Sequence, residues 1–234
     1  DVVTEKPLTI YLNSQEIVTT MTLGDMPKEL SVGYLLNQNM INREDIIESI
    51  DYDEDIDVVI VRTKRKTNYE KKLSKKIRTS GCAVGTVYGD MMEIFYDIKL
   101  NNETKIKSSW MRKISKNITE VPSLYLKAGA IHGCALCLND NILAYVEDVG
   151  RHNAVDKIAG WMFLNNIEGN DKIFYTTGRL TSEMIIKTVQ MEIPILLSRS
   201  GFTESGVNLA NEANLSLIGI MKGKRFILLS GSHR

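Results

Sequence analysis

Three cysteines, an odd and small number for 234 residues, argue against a disulfide framework and for a reducing compartment, so each thiol needs its own explanation. Cys82 stands in Thr79-Ser80-Gly81-Cys82-Ala83-Val84-Gly85-Thr86, a run of small residues directly behind Lys75, Lys76 and Arg78. Flanking glycines suit an accessible loop. Neighbouring positive charge favours the thiolate, the form that attacks sulfur and carries it as a persulfide. Cys134 and Cys137 form a C-x-x-C with His132 upstream, a pattern that suggests zinc or redox chemistry. On a strand, however, His132 and Cys134 share one face while Cys137 takes the other, and on a helix the two cysteines align while the histidine turns away. Only His152 and His233 remain as further histidines, so core packing is the expected role of this thiol pair and no metal site is expected.

A second group of residues suits anions. Glu147-Asp148-Val149-Gly150-Arg151-His152-Asn153-Ala154-Val155-Asp156-Lys157 places Arg, His, Gly and acids at the junction of a strand and a helix, where α/β folds bind ligands. Asn153 followed by Asp156 also resembles a helix N-cap with an acid at the third helical position. Capping accounts for neither Arg151, which can bind oxyanions bidentately, nor His152, whose protonated ring would favour anionic sulfur and phosphate. Thr176-Thr177-Gly178-Arg179, followed by Ser182 and Glu183, repeats the pattern of strand end, glycine, arginine and helix start, and Ser198-Arg199-Ser200-Gly201 repeats it again. Backbone N–H groups at such helix starts hold anions. Met221-Lys222-Gly223-Lys224-Arg225 forms a basic turn suited to phosphate.

The elements that must position these groups are readable from periodicity. Leu8 to Leu12 and Glu16 to Met21 flank Asn13-Ser14 as a hairpin, Asp25 and Pro27 announce a helix running to about Asn39, and Ile56 to Val61 reads as a strand. From Ile142 onward strands and helices alternate: strand 142–146, helix 153–164, strand 172–175, helix 182–191, strand 194–197, helix 204–213, then strands 217–220 and 226–229. Such alternation predicts a layered α/β domain behind a smaller α+β unit. Glu44 to Asp57 holds eight acids and no base, while Arg62 to Arg78 holds nine bases and one acid. These blocks read as an exposed acidic rim and a flexible basic linker marking a boundary, or as a docking surface for an anionic partner. The expected division is 1–78, a reactive-cysteine loop and connecting segment over 79–120, and 121–234.

Composition narrows the partners. Twenty-nine basic residues balance 29 acidic ones, so no global field recruits nucleic acid or an anionic membrane. Asp1 to Lys6 carries both signs of charge and no run of about 18 apolar residues occurs, so a soluble, unexported protein is expected.

The motifs EDVGRHNAVDK and TGRLTSEMIIK, the Gly219 to Phe226 segment and the loop at Cys82 together resemble the formate dehydrogenase accessory sulfurtransferase family, FdhD. The resemblance covers nearly the whole chain. It implies cytoplasmic delivery of sulfur from a cysteine desulfurase to the molybdenum cofactor destined for formate dehydrogenase, with Cys82 as persulfide carrier. It assigns the bis(molybdopterin guanine dinucleotide) ligand, through its guanine nucleotide moiety, to the turn Ile220, Met221, Lys222, Gly223, Lys224 and Arg225, to which the residue reading adds Arg151, His152 and Arg179. It further implies a cytidine deaminase-like three-layer α/β/α domain for the carboxyl-terminal half, here without the usual zinc signature, and leaves a homodimer open. In one respect the chain departs from the family: Gly85 stands where many members carry a second loop cysteine. Two other readings fit the same residues, a cofactor-holding chaperone that transfers no sulfur and a zinc hydrolase using His132, Cys134 and Cys137.

Overall fold

The computed structural model describes residues 3–65, 88–121, 129–222 and 225–234. At the amino-terminal end, β1 (Lys6–Leu12) and β2 (Gln15–Thr22) pair around Asn13-Ser14, with Asn13 at φ 55°, the left-handed conformation that tight hairpin turns require. The acidic block is more than a solvated rim. Its residues Ile47–Asp53 form β3, antiparallel to β4 (Val58–Thr63), and burial along β3 alternates so that most of its acids face water. The start of the basic block then answers the acids: Arg62 pairs with Asp51, and Arg65 grips Asp45 through Nε and Nη2, each at 2.6 Å. The sheet order is β2-β1-β4-β3.

Helix α1 (Pro27–Asn37) covers this sheet, setting Leu30 and Leu35 against Leu8, Ile10, Val59 and Val61. Pro27 opens the helix as expected, because its missing N–H is not needed there. Asp25 does not cap it. Met26 precedes the helix at φ 51°, and Asp25 instead reaches Lys157 Nζ at 2.6 Å.

The carboxyl-terminal half builds a six-stranded mixed sheet from β5 (His132–Leu138), β6 (Asn141–Asp148), β7 (Lys172–Thr176), β8 (Ile195–Ser198), β9 (Ser216–Lys222) and β10 (Arg225–Ser230), in the order β10-β9-β8-β7-β5-β6. One face packs against α4 (Arg151–Leu164), α5 (Ser182–Gln190) and α6 (Glu204–Glu212), with Phe95 of α2 (Tyr88–Asp97) in the same core. Across the sheet, α3 (Ser108–Glu120) lays Met111, Ile114 and Ile118 on Ala135, Cys137, Ile173 and Ile195. Spacings of three and four put those α3 residues on one helical face, and each fully buried aliphatic side chain contributes about 1.5–3 kcal/mol. The result is the expected α/β/α layering beside a smaller α+β unit. Among the described residues no helix is long and apolar enough to cross a membrane.

The two units meet where α1 crosses α4. A Cβ on Gly33 would lie 1.7 Å from the Asp156 carbonyl oxygen, and one on Gly160 would lie 1.8 Å from that of Glu29. Each helix therefore needs a glycine where it meets the other's backbone. Around this crossing, Asn37 Nδ2 donates to Asp156 Oδ1 at 2.6 Å, and Lys187 Nζ lies 2.8 Å from both Asp156 oxygens.

Candidate functional site: the sheet edge at the arginine junctions

Strands β7, β8 and β9 run parallel, while β5 runs against β7 and β6 against β5. Strand direction alone thus gathers the carboxyl ends of β6, β7, β8 and β9 and the amino end of β5 on one edge of the sheet. His132, Asp148 to His152, Thr177 to Arg179, Arg199, Lys222 and Arg225 all belong to that edge.

Short polar residues stitch the edge together. Thr177 exchanges hydrogen bonds with Gly133, its N–H donating to the carbonyl at 2.9 Å and its Oγ1 accepting from the amide at 2.9 Å. Ser198 Oγ donates to the Gly178 carbonyl at 2.7 Å and accepts from Ser200 N–H at 2.9 Å. Ser200 in turn receives Ile220 N–H at 3.2 Å. Ile220 takes φ 51°, a left-handed conformation that a β-branched residue rarely adopts and that costs about 1–3 kcal/mol. This strained residue precedes the basic turn, where the Lys222 and Arg225 side chains are exposed and Met221 is buried. Gly223 and Lys224 lie outside the described residues.

Arg151, half-buried, lies with its Cβ and Cδ against Gly178, where a Cβ would come within 3.2 Å, and Arg179 is exposed beside it. Burial, and then the charges of Arg151 and Arg179, hold the His132 imidazole below the ordinary histidine range. Helices α4 and α5 both start at this edge without a side-chain cap, in contrast to α6, where Thr203 Oγ1 accepts from Gly206 N–H at 3.2 Å. An edge with two arginines, exposed cations and two helix starts is suited to bind oxyanions.

The sequence profile of the FdhD/NarQ family matches residues 3–234. This chain belongs to that family. It is 31% identical to the sulfur carrier protein FdhD of Listeria monocytogenes serotype 4b over the whole of this chain and 90% of that protein. With the sulfur carrier protein FdhD of Bacillus subtilis it shares 29% identity over 96% of this chain and 86% of the relative. A crystal structure described as a formate dehydrogenase accessory protein, from Desulfotalea psychrophila, superposes with a TM-score of 0.79 at 26% identity, covering 98% of this chain and 88% of that one.

Within this FdhD/NarQ chain several residues stand otherwise than local sequence suggests. Asn153 does not cap α4, which begins earlier, at Arg151 after Gly150. Its Nδ2 donates instead to the Met21 carbonyl at 2.7 Å and to Asp148 Oδ1 at 2.9 Å. Asp156, read as an acid of the first turn, lies buried between Lys187 and Asn37. Cys134 and Cys137 do fill the core as expected, on opposite faces of β5, and burial pushes both thiols up to about 12. Thiols on opposite sides of a sheet cannot share one metal ion. Among the described residues no group of three potential ligands stands together. Cys82 lies outside the described residues.

His152 requires a correction of charge. It is 8% exposed, its Nε2 lies 3.2 Å from Glu183 Oε2 without hydrogen-bond alignment, and Nδ1 has no hydrogen-bond partner among the described residues. Burial first, then the charges of Lys187 and Arg151, hold the ring down at about 2 against an ordinary 6.5, so it is neutral rather than the protonated anion partner expected from sequence. Glu183 and Lys187, which complete its surroundings, were within reach of sequence reasoning only as neighbours of the Gly178-Arg179 junction.

This has a measurable consequence. Because the unfolded chain takes up a proton that folded His152 refuses, stability carried by the neutral ring is complete above pH 6.5 and lost progressively as the pH falls toward 2. Between pH 6.5 and about 5 the loss is about 2 kcal/mol. Urea denaturation across this range should show His152→Gln flatter than the parent by that amount. Parallel curves would mean that the ring is protonated in the fold.

Proposed function

We propose that this chain is a sulfur carrier that accepts sulfur from a cysteine desulfurase as a persulfide on Cys82 and passes it, in the cytoplasm, to a molybdenum cofactor destined for formate dehydrogenase. The bis(molybdopterin guanine dinucleotide) is cargo and sulfur acceptor, and its guanine nucleotide phosphates are held by Arg151, Arg179 and the turn from Ile220 to Arg225. His152 contributes to this site as a neutral ring beside Arg151. The observation that carries the reading is full-length membership of a family whose compared members are named sulfur carriers. The gathering of the arginine junctions and the basic turn on one sheet edge supports the phosphate assignment. One thiol is sufficient chemically, because a persulfide needs one anchoring sulfur and hands on its outer atom. Gly85 in the place of a second loop cysteine favours, as the alternative, a chaperone that holds the nucleotide without transferring sulfur.

The deciding experiment incubates the protein with a cysteine desulfurase and cysteine and follows mass. The parent should gain about 32 Da on Cys82, and Cys82→Ala should gain nothing while keeping its thermal midpoint. Cys134→Ala or Cys137→Ala should load normally but lose about 1–3 kcal/mol of stability. Equal loading of the Cys82-free variant would end the assignment. Nucleotide binding with no adduct on any thiol would establish the chaperone instead.

A further inference from the structure

Within the Glu147 to Lys157 segment, Asp148, Asn153, Asp156 and Lys157 all bond residues of the amino-terminal unit, and Asn153 and Lys157 also meet on Asp148. Its carboxylate is fully buried. Oδ2 accepts from Thr22 Oγ1 at 2.5 Å and from Leu23 N–H at 3.4 Å, and Lys157 Nζ lies 2.7 Å from it. Oδ1 accepts from Gly150 N–H at 3.0 Å and from Asn153 Nδ2 at 2.9 Å. Asn153 continues to Met21, and Lys157 continues to Asp25 at 2.6 Å and to the Glu147 carbonyl at 2.9 Å. Two of the donors to Asp148, Thr22 at the end of β2 and Leu23 just after it, are 126 and 125 positions away in the chain. Arg151 leaves the backbone directly after Gly150, between the two residues whose bonds to Asp148 fix the turn.

We infer that Asp148 is the positioning residue of the anion site and that Thr22, on the other folding unit, acts on Arg151 through it. This rests on the proposed assignment of Arg151 to the nucleotide phosphates. A buried carboxylate with fixed donors on both oxygens has no slack, so the Asp148–Gly150–Arg151 turn holds one orientation. Without the Thr22 hydroxyl, the side of Asp148 that faces the amino-terminal unit loses its shortest bond, and the turn gains freedom that ligand binding must then remove. The amino-terminal unit is therefore part of the site although none of its residues need touch the ligand.

The test is a double-variant cycle read by calorimetric titration with guanosine diphosphate. Thr22→Val should weaken binding about tenfold, Thr22→Ser should restore it, and Arg151→Ala should weaken it at least as much. The double variant Thr22→Val/Arg151→Ala should bind no more weakly than Arg151→Ala alone, an outcome that a general loosening of the fold would not produce. Additive losses, or parent-like affinity in Thr22→Val, would overturn the positioning role while leaving the nucleotide assignment intact. Failure of the parent itself to bind the nucleotide would overturn the assignment and, with it, this inference. Should Thr22→Val not fold, the same cycle run with Thr22→Ala decides between the same outcomes.

Discussion

Lys187→Met should lose about 3–5 kcal/mol of folding stability, and the double variant Asp156→Leu/Lys187→Met should recover most of that loss. Lys187 and Asp156 are 2% and 1% exposed, and the ammonium bridges both carboxylate oxygens. Removing the lysine leaves a buried carboxylate whose remaining hydrogen-bond donor among the described residues is the Asn37 amide. Burial already pushes the Asp156 carboxyl up against the pull of Lys187 and Asn37, so the single variant should take up a proton there and regain part of its stability as the pH is lowered. Replacing both partners by apolar residues removes the charge along with its compensation. Urea midpoints of the parent, the single and the double variant decide the matter. A double variant as unstable as the single one would show that shape, rather than charge, holds this position.

Gly160→Ala should be comparably damaging, by about 4 kcal/mol or more, a large part of the 5–15 kcal/mol typical of such domains. The added Cβ would stand 1.8 Å from the Glu29 carbonyl oxygen and 2.7 Å from its carbon. Backbone cannot move aside as a flexible side chain can. Relief therefore requires α1 and α4 to separate along their length, and that separation pulls Asn37 from Asp156, at present 2.6 Å apart, and opens well-packed apolar surface to water. Gly201→Ala is the control, since nothing lies within 4 Å of a Cβ there, and it should shift stability by no more than about 0.5 kcal/mol. Trp161 on α4 reports the transition by fluorescence. Equal small shifts in the two variants would mean that the crossing is loose.

Much of the carboxyl-terminal half was legible in advance. The alternation from Ile142 to Leu229 gave strands and helices whose bounds mostly differ from the structure by no more than two or three residues, because burial on one face writes its period into a short window of sequence. For Cys134 and Cys137 the sequence left strand and helix open, and the strand His132–Leu138 decided that they take opposite faces. Family membership was legible in the Arg151 and Arg179 motifs, since a long motif specifies a strand end, a turn and a helix start together.

Charge partners were not legible. Asn153 looked like a cap, Asp25 like a helix-start acid and His152 like a titrating switch, and each judgement considered only the neighbours in sequence. In the fold Asn153 bonds Met21, Asp25 pairs with Lys157, and His152 lies neutral beside Glu183 on another helix. The strand β3 was hidden for a related reason, because its acids lie on the exposed face and masked the isoleucines between them.

The sequence by itself thus determined the order of the elements from Ile142 onward, the arginine-bearing junctions between them, and the family. The tertiary structure alone decided which charged and polar groups are buried, and that Thr22 and Asp148, 126 positions apart, are hydrogen-bonded to each other. The physical reason is that dihedral preference and periodicity act over a few residues, whereas desolvation and Coulomb interaction depend on whatever the fold brings within a few ångströms.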